Sequence, residues 1–227
     1  GLAGKARKLI IVDLDNTLWG GVVGETGWEG LRLGGHDHVG EAFVHFQKRL
    51  KALSERGVQL AIVSKNDEST ALEALDKHPE MLLRREDFAA WRINWSDKAR
   101  NIVDLLDELR LGLDAVVFLD DNPAERGRVR DALGDPVLVP EWPADPAEYG
   151  NALSALKCFD TPAVSQEDRA RASMYASERK RTESRKKIGS LDSWLESLEM
   201  QVAVEQLSES NLPRTAQLLN KTNQMNL

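Results

Sequence analysis

Ile10-Ile11-Val12-Asp13-Leu14-Asp15-Asn16-Thr17-Leu18-Trp19 decides the fold, because an apolar, β-branched run ends there in two carboxylates one residue apart. Such side chains pack well on a pleated surface, and the run is too short for a helix, so it predicts a buried strand that delivers acids to a turn. Asp13 and Asp15 share a side while the chain stays extended, and Asn16-Thr17 bends it. That arrangement suits metal-assisted phosphoryl chemistry, with one carboxylate attacking and the other handling protons. The competing reading is a strand followed by an Asx-rich turn.

Working outward, short apolar runs at 9–12, 58–63 and 115–119 alternate with helical patterns, and 137–139 offers a fourth strand. Alternation of this kind predicts an α/β fold, a parallel sheet with helices on both faces. The helices are predicted over 41–56, stopped by Gly57, over 67–77, stopped near Pro79, and over 96–109. The last of these has Ser96 as its cap and places Ala99, Ile102, Val103, Leu106 and Leu109 on one face. Residues 18–33 carry Gly20, Gly21, Gly24, Gly27 and Gly30 among Trp19, Val22, Val23 and Trp28, which predicts a twisted hairpin lying as a small flap over the first strand's end. Trp19 and Trp28 fit either the flap lining or the core.

In an open parallel sheet, ligands sit beyond the carboxyl ends of the strands. Here the first strand ends in Asp13 and Asp15, the second in Ser64-Lys65-Asn66 and the third in Asp120-Asp121-Asn122. Carboxylates gathered on one edge repel unless a cation neutralises them, and an all-oxygen set without His or Cys suits Mg²⁺. Lys98 falls just inside a predicted helix, where the macrodipole disfavours a cation by about 0.3–1 kcal/mol. It therefore has another task there, forming a phosphate pocket with the helix N-terminus, the Ser64 hydroxyl and the backbone near Leu14, Lys65 and Asn66. The alternative is that Asp97 merely offsets its charge. Only 51 positions separate Asp13 from Ser64, and 34 separate Ser64 from Lys98, which leaves no room for a large cap domain.

With 227 residues, 41% hydrophobic and 30% charged, the chain fits one substantial core and a smaller second unit. The expected division is a catalytic domain over 1–160 and a mainly helical extension over 161–227, cut from something longer. In the extension, Ser165-Gln166-Glu167-Asp168 starts a charged helix to about residue 187; a short helix over 190–198, a strand over 201–204 and a helix over 211–220 follow. A formal charge of −7 argues against nucleic-acid binding, and no apolar run approaches membrane-spanning length. The N-terminal apolar run stops at Asp13, too soon for a secretory signal, so the cytoplasm is the expected location. One cysteine, Cys158, excludes an intrachain disulfide and a multi-thiolate zinc site. His36, His38, His45 and His78 show no metal-ligand pattern and are assigned surface or packing roles.

Asp13-Leu14-Asp15-Asn16-Thr17, Ser64, Lys98 and Asp120-Asp121 resemble the four motifs of the haloacid dehalogenase-like superfamily. The resemblance implies that Asp13 is a nucleophile forming an aspartyl-phosphate, that Asp15 is the general acid and base, and that Asp120 or Asp121 holds Mg²⁺ with Asp13 and the Asp15 carbonyl. An Asp at the second acidic position favours phosphate transfer over dehalogenation. Closer similarity, through Val12 to Val22, Ser64-Lys65-Asn66-Asp67, Asn94-Trp95-Ser96-Asp97-Lys98, Phe118 to Arg126 and the tail from Leu218 to Leu227, is to the FkbH-like family of polyketide biosynthesis. It implies a glyceryl transferase and phosphatase: a three-carbon unit from 1,3-bisphosphoglycerate is dephosphorylated and loaded as a thioester on an acyl carrier protein. On that reading Cys158 is an acyl relay, whereas a lone Cys is otherwise a small buried hydrophobe. The basic run Arg179 to Lys187 would dock the acidic carrier, or is simply a solvated helix face. The rival function is a capless phosphatase acting on a phosphorylated metabolite or protein with Cys158 structural, and a non-enzymatic docking module is a third.

Overall fold

Four strands, all parallel, are laid down as the chain alternates between extended and helical segments. The computed structural model describes residues 7–159 and Leu212. Their elements are β1 (Leu9–Val12), α1 (Val23–Thr26), α2 (His38–Glu55), β2 (Gln59–Ser64), α3 (Glu68–Lys77), β3 (Phe88–Ile93), α4 (Lys98–Leu109), β4 (Val116–Leu119), α5 (Pro123–Leu133) and α6 (Tyr149–Ala155). The strand order is β3-β2-β1-β4. After β1 the chain builds outward on one side and then returns to the other, so its direction of winding reverses between β1 and β4. A crevice opens at such a point beyond the carboxyl ends of the strands.

The period of two in the strands divides the interior. Ile10, Val12, Leu60, Ile62, Val117 and Leu119 face one core, packed with Phe43, Phe46 and Leu50 of α2 and Leu75 of α3. Leu9, Ile11, Ala61, Val63, Val116 and Phe118 face the other, packed with Ile102, Leu105 and Leu109 of α4 and Val129 of α5. All four β1 residues are fully buried, which is why the run reads as continuously apolar rather than alternating.

The sheet's fourth strand is β3, not 137–139, which contributes one isolated bridge from Leu138 to Val117. Phe88-Ala89-Ala90-Trp91-Arg92-Ile93 mixes alanines and an arginine into an edge strand, so its apolar signal is diluted. On α4 the buried face uses Leu105, while Val103 is 38% exposed, and the cap is Asp97, accepting from Arg100 N, not Ser96. The flap is only partly a hairpin. Gly20 and Arg32 exchange backbone hydrogen bonds of 2.8 and 3.0 Å, but the segment between them coils into α1 and a 3₁₀ turn at Trp28–Gly30. Trp19 is fully buried in the core and Trp28 half-buried, edge-on to His78. Among the described residues no helix is long and apolar enough to cross a membrane. The expected extension, 161–227, and its basic run lie outside the described residues except for Leu212.

Where α2 begins, Asp37 accepts from Val39 N and Gly40 N, and a Cβ on Gly40 would overlap the Gly34 carbonyl oxygen. Replacing Gly40 by Ala gains at most about 1 kcal/mol of helix propensity. The overlap is with backbone, which cannot rotate away, and overpacking of this kind costs about 1–3 kcal/mol. Gly40→Ala is therefore expected to cost about 1–2 kcal/mol of stability, read as a lower urea midpoint, whereas an unchanged or raised midpoint would show that the Gly34 turn yields.

Candidate active site

β1 and β4 end side by side, with Asp13 N donating to Leu119 O at 2.9 Å, so Asp13 and Asp120 leave neighbouring strands at the same level. One carboxylate oxygen from each of Asp13, Asp120 and Asp121 can lie within 4.8 Å of the others. Lys98, at the first turn of α4, puts its ammonium 2.6 Å from Asp120 Oδ2 and 3.0 Å from Asp13 Oδ1. Asp13 Oδ1 is buried, and the ammonium is the group that faces it.

Burial pushes the Asp120 carboxyl up to about 6, with the Asp13 charge adding to it against the pull of Lys98. Asp121 is raised by burial and then by Asp13. For Lys98, burial works to lower the pKa, but the charges of Asp13 and Asp120 outweigh it and the net direction is upward. The ammonium is thus held charged. Three carboxylates against one ammonium leave an excess of two negative charges when all are ionised. That excess charge, buried, and an all-oxygen donor set fit a hard divalent cation, with Asp13, Asp120 and Asp121 as its side-chain ligands.

Asp15 is not one of this cluster. Its Oδ1 accepts from the Trp19 indole at 2.9 Å and from Val23 N at 3.0 Å, and its Oδ2 from Asn66 Nδ2 at 2.8 Å. Burial nevertheless raises its pKa, against these hydrogen bonds. A carboxyl both fixed in direction and biased toward its protonated form is suited to give up a proton. The turn that follows it rests on Asn16, which takes positive φ (54°) and whose side chain accepts from Gly21 N. Asn tolerates that region better than most residues.

Ser64 ends β2, buried at the same edge. Lys65 and Asn66 follow, but each is committed to protein: Lys65 Nζ pairs with Glu125 Oε1 at 2.9 Å, and Asn66 orients Asp15. Two residues without an assigned role emerge from the structure. Thr17 Oγ1 donates to Asp121 Oδ1 at 3.1 Å and accepts from Asp121 N at 3.0 Å. Buried Arg126 donates to the carbonyls of both Asp120 and Asp121 at 2.8 Å. Thr17 stands within the opening stretch and Arg126 one helical turn after Asn122, but only the fold shows what each holds.

Cys158 is not brought to these groups. Its carbonyl accepts from Arg7 N at 2.8 Å, and Arg7 precedes β1, whereas Asp13 follows it. At about 3.3 Å per residue the strand separates the two by roughly 20 Å. Half-buried Cys158 packs against the main core at the amino edge of the sheet. Parallel strands put their amino and carboxyl ends at opposite edges, so a residue paired beside Arg7 cannot act on a group held by Asp13.

The sequence matches no protein-family profile and no curated protein. Among solved structures, the N-terminal part of a Bacteroides fragilis protein, containing a phosphatase domain and complexed with Mg, is 46% identical, with a TM-score of 0.68 over 70% of this chain and 42% of that one. The chain has a haloacid dehalogenase-like fold. It spans about 42% of the length of that relative. The 3-deoxy-D-manno-octulosonate 8-phosphate phosphatase from Moraxella catarrhalis, complexed with magnesium, phosphate and KDO, is 16% identical over 68% of this chain and 88% of its own, with a TM-score of 0.40, too distant to bear on the site. Within the haloacid dehalogenase-like fold, the carboxyl ends of β1, β2 and β4, together with the start of α4 after β3, carry every predicted site residue except Cys158.

Because a cation needs the ionised carboxylates, its binding must strengthen as pH rises through about 6, where Asp120 loses its proton in the cation-free protein. The same raised pKa means that ionising Asp120 costs stability as pH climbs from the ordinary carboxylate range to about 6. Calorimetry with Mg²⁺ is expected to give an apparent Kd about 10-fold weaker at pH 5 than at pH 7.5, as one proton released near pH 6 requires. A pH-independent Kd would show that Asp120 is not a ligand.

Proposed function

We propose that this domain is a Mg²⁺-dependent phosphatase that works through a phospho-aspartyl intermediate on Asp13. The observation that carries the proposal is the buried Asp13–Lys98–Asp120 arrangement beside an Asp15 fixed by three hydrogen bonds. The phosphatase domain and bound Mg of the Bacteroides fragilis relative support it. Mg²⁺ held by Asp13, Asp120, Asp121 and the Asp15 backbone carbonyl would neutralise the phosphoryl oxygens.

A carboxylate oxygen of Asp13 attacks phosphorus, the bond from phosphorus to the leaving oxygen breaks, and protonated Asp15 gives that oxygen its proton. Asp15, now ionised, takes a proton from a water that attacks the same phosphorus and splits the phospho-aspartyl bond, releasing phosphate. Lys98 and the Ser64 hydroxyl complement the negative charge on the transferred group. Asn66 and Trp19 keep Asp15 aimed, while Thr17 and Arg126 keep the β4 acids in place.

The finer reading is that the phosphate removed belongs to a three-carbon unit drawn from 1,3-bisphosphoglycerate and loaded on an acyl carrier protein. It is supported by the motif resemblance and by the lack of a large cap among the described residues, with Trp95, 75% exposed, standing between β3 and α4. With Cys158 at the far edge, acyl transfer proceeds by attack of the carrier's own thiolate on the acyl-phosphate carbonyl, the carbon–oxygen bond breaking to release phosphate. The cytoplasm, with its supply of phosphorylated metabolites, is the compartment this reading assigns.

Phosphate release in the presence of Mg²⁺ is expected to fall at least about 10³-fold in Asp13→Asn and about 10²–10⁴-fold in Asp15→Asn. Cys158→Ala is expected to stay within about twofold of wild type both in phosphate release and in carrier loading followed by intact mass. Release that persists in Asp13→Asn would remove Asp13 as the nucleophile. Loss of carrier loading alone in Cys158→Ala would restore the relay.

A further inference from the structure

Beside the carboxylate cluster lies a cleft of about 490 Å³ that the proposed chemistry leaves unused. Asp121 stands in its wall, so the cleft adjoins the cation ligands, and Phe43, Tyr149, Pro143 and Pro146 supply apolar lining. Among the described residues that line it, Arg32 is the one cation. We propose that this cleft receives the part of the substrate that carries the phosphate, and that Arg32 selects substrates with a second anionic group, a carboxylate or another phosphate. The inference rests on the phosphatase reading and deepens it by naming the substrate class.

Arg32 is built into position rather than left on a loose loop. Its backbone exchanges both hydrogen bonds with Gly20, and its Nε and Nη2 meet Asp37 Oδ2 at 2.8 and 2.7 Å. Asp37 in turn caps α2 through Val39 N and Gly40 N. That single carboxylate oxygen accepts the Nε hydrogen and pairs with Nη2, and a guanidinium fork takes a second carboxylate or phosphate through its remaining hydrogens. The side chain remains 53% exposed, so an incoming anion can reach it.

The floor of the cleft is backbone. A Cβ on Gly20 would lie 2.9 Å from the Phe43 ring and 3.0 Å from Arg32 Cβ, so a side chain there would displace the arginine itself. Gly21, at φ 99°, adopts a backbone that favours glycine, and its amide is tied to the Asn16 side chain. Asn16 also lines the cleft, and its carbonyl accepts from Tyr149 OH at 3.1 Å. The turn that follows Asp15 therefore forms one side of the cleft, and Asp121 another. A merely structural Arg32, bracing the flap against α2, would affect every substrate alike.

The test compares 3-phosphoglycerate with glycerol 3-phosphate, which share a three-carbon skeleton and differ in a carboxylate. In Arg32→Gln the ratio of kcat/KM for the first over the second is expected to fall roughly 10-fold or more, the scale of a lost hydrogen bond to a charged group, mainly through KM. Arg32→Lys is expected to recover part of the ratio. Ala144→Trp, an exposed position lining the cleft, is expected to raise KM for 3-phosphoglycerate without lowering thermal stability. Turnover of both compounds with a ratio unmoved by Arg32→Gln would overturn the assignment of Arg32 alone. If wild type releases phosphate from neither, the phosphatase reading fails for this class, and calorimetric binding of 3-phosphoglycerate to Asp13→Asn with and without Arg32→Gln decides the cleft: equal affinity, or no binding, overturns it.

Discussion

Three carboxylates gathered within 4.8 Å at the ends of two neighbouring strands form an arrangement that electrostatics opposes, and the buried Lys98 ammonium is what holds it together. Lys98 is itself placed against preference, at the positive end of α4 and almost without solvent. Only the charges of Asp13 and Asp120 make that position tolerable, so the lysine and the acids depend on each other. Replacing one partner of such a buried set leaves an uncompensated charge, typically costing several kcal/mol. The whole remains negative by two charges, and that residual charge is what a divalent cation and a phosphoryl group together exploit.

Around this centre, the supporting contacts fix direction rather than add binding. Arg126 holds the carbonyls of Asp120 and Asp121, so the turn after β4 cannot swing its acids apart. Thr17 reaches across from the β1 turn to clamp Asp121 at two points, which couples the ends of β1 and β4. Trp19, Val23 and Asn66 fix Asp15 by hydrogen bonds of its own, and that gives two carboxylates, two residues apart, different environments and different tasks. Tyr149 ties α6 to the Asn16 carbonyl, so the far end of the domain braces the same turn.

Most of the sheet and nearly all of the site were legible because they lie on strongly patterned local stretches. β1, β2 and β4 are apolar, β-branched and each followed at once by polar residues. β3 was missed because Phe88-Ala89-Ala90-Trp91-Arg92-Ile93 is an edge strand, and an edge tolerates alanine and arginine that a central strand does not. The cap of α4 was misplaced by one residue since Ser96 and Asp97 are equally good caps in sequence; backbone geometry selects Asp97. Sequence position points to the backbone of Lys65 and Asn66 for a phosphate, but only the fold shows that their side chains pair with Glu125, far along the chain, and with Asp15.

What the sequence determined by itself is whatever depends on short range: the strand that ends in Asp13 and Asp15, the acids after β4, the lysine at a helix start, the absence of space for a cap. What only the tertiary structure decided is whatever depends on which ends of the sheet meet. Strand order put β4 beside β1 and so made one cluster of Asp13, Asp120 and Asp121. The same parallel order carried Cys158 to the opposite edge, beside Arg7, although it lies in sequence just beyond the last element of the domain. It also turned Arg32 and the Gly20-Gly21 backbone into the wall of a cleft. Periodicity reports which face a residue takes, but the edge at which distant segments meet is set by packing the whole sheet.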